Sequence, residues 1–114
     1  MKVNDKKKFI NICTITFKSF QHKVTPIQSR QTLWDFMTTS ERTDKSYVVC
    51  CIPRLKSSKG IINIARKKVP AGMRLVVITN NFDEQDFEES IEKDYCLTTL
   101  VQIQDFNTRM LLAN

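Results

Sequence analysis

The sequence predicts a single α/β domain over residues 1–114, with about four mostly parallel strands alternating with helices packed on both faces. Three observations carry that expectation. Tyr47-Val48-Val49-Cys50-Cys51-Ile52 and Arg74-Leu75-Val76-Val77-Ile78-Thr79 are apolar at successive positions, as strands buried on both faces are. The segment between them has helical spacing, so strand, helix and strand alternate. A chain of 114 residues that is 41% hydrophobic, with 2 Gly and 3 Pro, suits one packed core better than two small ones.

Residues 1–8 read as a basic N-terminal arm carrying Lys2, Lys6, Lys7 and Lys8. From about Lys8 to Phe17, Phe9, Asn11, Cys13, Ile15 and Phe17 alternate with Ile10, Ile12, Thr14 and Thr16, which predicts a first strand. Thr25-Pro26 is a helix start, Thr as N-cap and Pro at the first helical position. That helix is expected to run to about Thr38, with Ile27, Arg30, Leu33, Trp34 and Met37 on one face and Trp34 as a packing anchor. Pro53 ends the strand at 47–52, because proline cannot donate to a ladder. Ser57 or Ser58 then caps a helix to about Val69, burying Ile61, Ile62, Ile64, Ala65 and Val69. After the turn Pro70-Ala71-Gly72 and the strand at 74–79, an acidic helix starts at Asp83 with Phe87, Ile91 and Tyr95 as a narrow apolar stripe. A last strand from Leu97 to Ile103 and a short helix from Asp105, with Phe106, Met110 and Leu111 inward, complete the reading.

Charge is divided along this chain. Residues 1–82 carry 16 Lys/Arg against 4 Asp/Glu, whereas residues 83–114 carry 2 against 8. A basic chain with polarised charge points to a polyanionic partner, most simply DNA or RNA. The sharpest candidate is the strand–helix junction and the helix after it. Arg54, Lys56, Ser57, Ser58, Lys59, Asn63, Arg66, Lys67 and Lys68 put hydroxyls and cations at a helix N-terminus and along one helix face, and no acid lies between Lys45 and Asp83. Free N–H groups at a helix start favour phosphate, and ligands of open α/β sheets lie at the carboxyl ends of strands. The expected function is therefore a non-enzymatic nucleic-acid-binding domain. The alternative is a protein-interaction or self-association module using Glu84, Glu88 and Glu92 of the acidic helix.

Other chemistries lack their residues. No Gly-x-Gly-x-x-Gly or P-loop is present. Cys13, Cys50, Cys51 and Cys96 lie in apolar runs and read as reduced, buried thiols. Zinc would need Cys-x2-Cys or a His pair, and His22 is the single histidine, expected to be exposed. A thiol phosphatase would need Arg six residues after its cysteine, where Lys56 and Ser57 stand instead. The element order is similar in topology to restriction-endonuclease-like domains, whose site takes an Asp and then Glu-x-Lys on the next strand. Here that strand reads Val49-Cys50-Cys51-Ile52-Pro53-Arg54, without the carboxylates, and Asp35, Glu41 and Asp44 show no grouping; a degenerate or metal-dependent nuclease-like domain is therefore only the third reading. No cofactor and no metal are expected. The longest apolar stretches fall far short of the ~20 residues that cross a bilayer, so the chain reads as soluble and intracellular, cytoplasmic or nuclear, without membrane contact.

Overall fold

A computed structural model describes residues 2–19, 21–26 and 33–106. Helix α1 (Lys2–Ser19) leads into strands β1 (His22–Pro26), β2 (Phe36–Ser40) and β3 (Ser46–Cys51). A 3₁₀ turn (Leu55–Ser58) continues into α2 (Lys59–Lys67), followed by β4 (Met73–Thr79), α3 (Glu84–Glu92), β5 (Cys96–Thr99) and α4 (Leu100–Phe106). The α/β class is as expected, but the sheet has five strands in the order β1-β2-β3-β4-β5. It is mixed. β1, β2 and β3 form an antiparallel meander, and only β3, β4 and β5 run parallel.

Central position explains the continuous apolar runs. β3 pairs with β4 in the register Val48 to Leu75 through Cys51 to Ile78, and both strands are covered on both sides. One face meets α1 and α4 through Phe9, Cys13, Phe17, Val49, Cys51, Val76, Ile78 and Ile103. The other meets the 3₁₀ turn and α2 through Val48, Cys50, Leu55, Ile62, Ala65 and Val77. Cys50 and Cys51 thus point to opposite faces, and all four thiols are free and buried. Trp34 and Met37 pack against the second cluster, although Met37 does so from a strand.

Four elements depart from expectation. Residues 8–17 are helical, and the basic arm is the first turns of that helix rather than an extended tail. Phe9, Cys13 and Phe17 recur every four residues and fill one core, while Ile12 and Ile15 face outward; packing of that stripe overrides the β-branched composition. The expected helix from Pro26 to Thr38 is absent at its end. Residues 36–40 form β2, with Phe36, Thr38 and Ser40 buried in alternation; Ile27 and Arg30 lie outside the described residues. In α2, Ile62 and Ala65 are buried but Ile61 and Ile64 are exposed. The last strand stops at Thr99, where Thr99 Oγ1 accepts the Gln102 N–H and Gln102 Oε1 accepts the Thr99 N–H, a capping box that starts α4 at Leu100. Met110 and Leu111 lie outside the described residues.

His22, which the sequence predicts to be exposed, is instead buried on β1 at 3% accessible. Its Nδ1 lies 2.9 Å from Thr38 Oγ1, and Phe17 meets the ring edge-on at 5.3 Å. Burial holds its pKa below the usual 6.5. The unfolded chain therefore binds a proton that the fold excludes. The stability from neutral His22 is complete above about pH 6.5 and is lost as pH falls below that value toward the lower pKa of the folded state. The thermal midpoint should drop between about pH 7.5 and 5.5, and His22→Gln should flatten this dependence. An identical slope in both proteins contradicts the assignment.

Candidate nucleic-acid interface

The candidate site begins where β3 ends. Because β2 and β3 are antiparallel, the start of β2 lies beside the end of β3, and Asp35 meets Cys51 there. Asp35 N–H donates to Val49 O at 2.8 Å, and Asp35 Oδ2 accepts the Cys51 N–H at 2.7 Å. Ile52 N–H continues the ladder to Ile78 O, after which Pro53 O accepts from the Thr79 hydroxyl at 3.2 Å. Chain direction then turns through Arg54 into the 3₁₀ turn and α2. Neither helical start carries a side-chain cap or an acid in its first turn. The capping and first-turn acids that would offset the positive dipole end are thus missing from the segment itself, and Asp83 and Asp86 adjoin it from α3, in a second hollow shared with Arg54 and Ser57.

A cleft of about 390 Å³ opens at this junction. Its polar lining comprises Lys6 from α1, Asp35, Arg54, Ser57 and Ser58, and its apolar lining includes Leu33, Ile52, Pro53 and Ile61. Lys6 Nζ lies 3.7 Å from Asp35 Oδ1. Burial raises the Asp35 pKa, opposed by the Cys51 N–H and by Lys6. Cys50 and Cys51 also line the cleft, but neither thiol is activated: burial first, and then the Asp35 charge, pushes Cys50 up to about 12, and contact with Cys13 together with burial pushes Cys51 up further still. A nucleophilic thiolate needs the opposite environment.

The structure divides the nine basic-side residues singled out by sequence. Arg54, Ser57 and Ser58 share the cleft. Lys56 and Lys59 turn instead toward α3. Lys56 pairs with Asp83 at 3.2 Å, and Lys59 pairs with Asp86 at 2.6 Å and Glu89 at 3.0 Å. Asn63 accepts from Lys93 at 2.9 Å, and Lys93 also pairs with Glu89. Hydrogen bonds to Asp86 and Glu89 raise the Lys59 pKa. Those from Lys93 and Lys59 lower that of Glu89, and the Asp86 N–H with Lys56 lowers that of Asp83. Arg66, half-buried, and the exposed Lys67 and Lys68 lie at the far end of α2, about 12 Å from Lys59 at 1.5 Å per residue. Among the described residues, Arg54, Lys67 and Lys68 have no ion pair.

The acidic helix is thus not a separate, opposed surface. Asp83 and Asp86 form a reciprocal capping box, and the buried side of α3 is polar, made by Asp86 and Ser90, while Phe87 and Ile91 are exposed. Glu84, Glu88 and Glu92 remain exposed. Asp44 stands in the exposed β2–β3 turn, at the opposite end of β2 from Asp35, so the two acids are not brought together. Among the described residues no group of three or more His, Cys, Asp or Glu could hold a metal ion. Among the same residues no helix is long and apolar enough to cross a membrane.

Sequence reasoning missed Lys6 and Asp35 as cleft residues. The available signal was an isolated acid directly before the alternation Phe36-Met37-Thr38-Thr39-Ser40, concealed by reading that stretch as helix. No family model, curated protein or solved structure matches the chain.

Proposed function

We propose that the chain is a non-enzymatic nucleic-acid-binding domain that contacts the phosphate backbone along the edge formed by the start of α1 and the residue 54–68 segment. The observation that carries this reading is the meeting of Lys6 and Arg54 in one cleft with Ser57, Ser58 and an uncapped helix start. Two basic regions far apart in sequence thereby become one surface. Exposed Lys7 and Lys8 flank it on α1, and Lys67 and Lys68 extend it along α2. The intramolecular pairs of Lys6, Lys56 and Lys59 reduce their share. Phosphate contacts of this kind supply affinity without sequence information.

Fluorescence anisotropy with a labelled duplex tests the assignment. The double variant Lys6→Ala, Arg54→Ala should weaken binding about tenfold at low salt and make the log–log salt slope shallower by about two. Unchanged affinity and slope rule the interface out.

A second reading, protein contact through α3, rests on one observation. Exposed Phe87 (39%) and Ile91 (65%) sit on the same helix as exposed Glu84, Glu88 and Glu92. It predicts a stoichiometric protein partner lost on Ile91→Lys, without nucleic-acid absorbance in the purified complex.

A further inference from the structure

We propose that the cleft beside Asp35 receives one unpaired nucleotide of the bound strand, its base between apolar walls and its phosphate at the basic edge. The proposal rests on the nucleic-acid reading and specifies which form of nucleic acid the site takes.

A surface that only gathers phosphates needs no depth and no apolar walls. This site has both. At about 390 Å³ it falls within the range of small-ligand clefts, and Leu33, Ile52, Pro53 and Ile61 line it from three separate segments. Such walls accept the flat face of a base, and burying that face removes apolar area from water. A base also presents a hydrogen-bonding edge that must be satisfied once it leaves its pair. Asp35 supplies the acceptor. One of its oxygens takes the Cys51 N–H, and the other faces Lys6 at 3.7 Å, longer than a well-formed hydrogen bond. That oxygen retains capacity for an amino or imino N–H of a base.

The carboxylate also argues against a site for phosphate alone, since it would repel an anion placed next to it. Separation of roles resolves the conflict. Asp35 and Lys6 lie at the Cys51 end of the cleft, whereas Arg54, Ser57 and Ser58 follow Pro53 in the chain. Ser57 Oγ donates to Arg54 O at 3.1 Å, and the Ser58 hydroxyl makes no capping bond. Base and phosphate therefore have distinct places. A paired base cannot enter, because its edge is already used and its faces are stacked; a single-stranded end, overhang or mismatch offers one at low cost.

Three probes, brought to equal phosphate number by a terminal phosphate on the first, separate the outcomes: a blunt duplex, a duplex with a single-nucleotide overhang, and the same overhang made abasic. The full chain should bind the overhang about tenfold more tightly than the blunt duplex. The abasic overhang should match the blunt duplex. Ile61→Trp, which fills the cleft from an exposed position, should abolish the preference for the overhang. A 2-aminopurine at the overhang should change fluorescence on binding to the wild-type chain and not to Ile61→Trp. Equal affinity for blunt and overhang probes overturns the nucleotide site while leaving backbone binding in place. No affinity for any probe overturns the nucleic-acid reading and this proposal together.

Discussion

Replacing Lys59 by methionine is expected to lower the unfolding free energy by about 2–4 kcal/mol. The reason lies on α3. Asp86 is 3% exposed, and its carboxylate is matched by Lys59 at 2.6 Å and by the Asp83 N–H at 3.2 Å. Methionine preserves the stem of residue 59 but leaves a buried anion with one backbone donor. Because the Lys59 side chain is about one third exposed, water reaches the site and keeps the cost below that of a fully buried pair. Adding Asp86→Asn removes the stranded charge while keeping an oxygen for the Asp83 N–H, so the double variant should recover more than half of the loss. Urea denaturation of the four proteins in the cycle measures this coupling. A loss below about 0.5 kcal/mol for Lys59→Met would contradict the pairing. The same result limits the design of binding variants. Any substitution set that includes Lys59 reports folding as well as contact with a ligand.

Phe17→Ala is expected to cost about 3–5 kcal/mol, and Ile15→Ala no more than about 0.5 kcal/mol. Phe17 is fully buried, edge-on to Phe36 at 5.7 Å and to His22, and it joins α1 to the first two strands. Ile15, two residues away, is 67% exposed. The contrast distinguishes a helix from a strand. In a strand, positions 15 and 17 share a face and have similar cost. In α1 they lie on opposite sides. Thermal or chemical denaturation of both variants decides the matter, and comparable losses would contradict a helical α1.

These two cases show why some elements were legible and others were not. β3 and β4 are buried on both faces, so their composition leaves no competing pattern. α3 announces itself through Asp83 and Asp86, whose reciprocal cap is written in four residues. Residues 8–17 are ambiguous because Ile10, Ile12, Ile15 and Thr16 favour strand while Phe9, Cys13 and Phe17 repeat at helical spacing. Packing decided for the second pattern, and the Thr16 hydroxyl donates back to Ile12 O. β2 was hidden by Thr25-Pro26, a helix-start signature that instead closes β1. The turn into α4 was readable as Thr99-x-x-Gln102 but was submerged in the apolar run before it.

The candidate site divides along the same line. Arg54, Ser57 and Ser58 follow from a local junction, so sequence reaches them. Lys6 and Asp35 arrive through α1 and β2, the two misassigned segments. The pairing of Lys56 and Lys59 with α3 is tertiary, and the separation of positive and negative blocks along the chain concealed it. Opposite charges distant in sequence became neighbours because both crossover helices of a parallel β3-β4-β5 sheet pack on one face, as right-handed crossovers in one direction require.

The central claim is that Lys6, Arg54 and the lysines beside them form one surface for a polyanion. Its most direct measurement is the affinity of the full chain for a short labelled duplex as a function of salt, from about 50 to 300 mM. With Lys56 and Lys59 held by α3, Lys6, Lys7, Lys8, Arg54, Lys67 and Lys68 predict a linear log–log plot with a slope of about −5. Binding that is absent at the lowest salt, or a slope near zero, would contradict it.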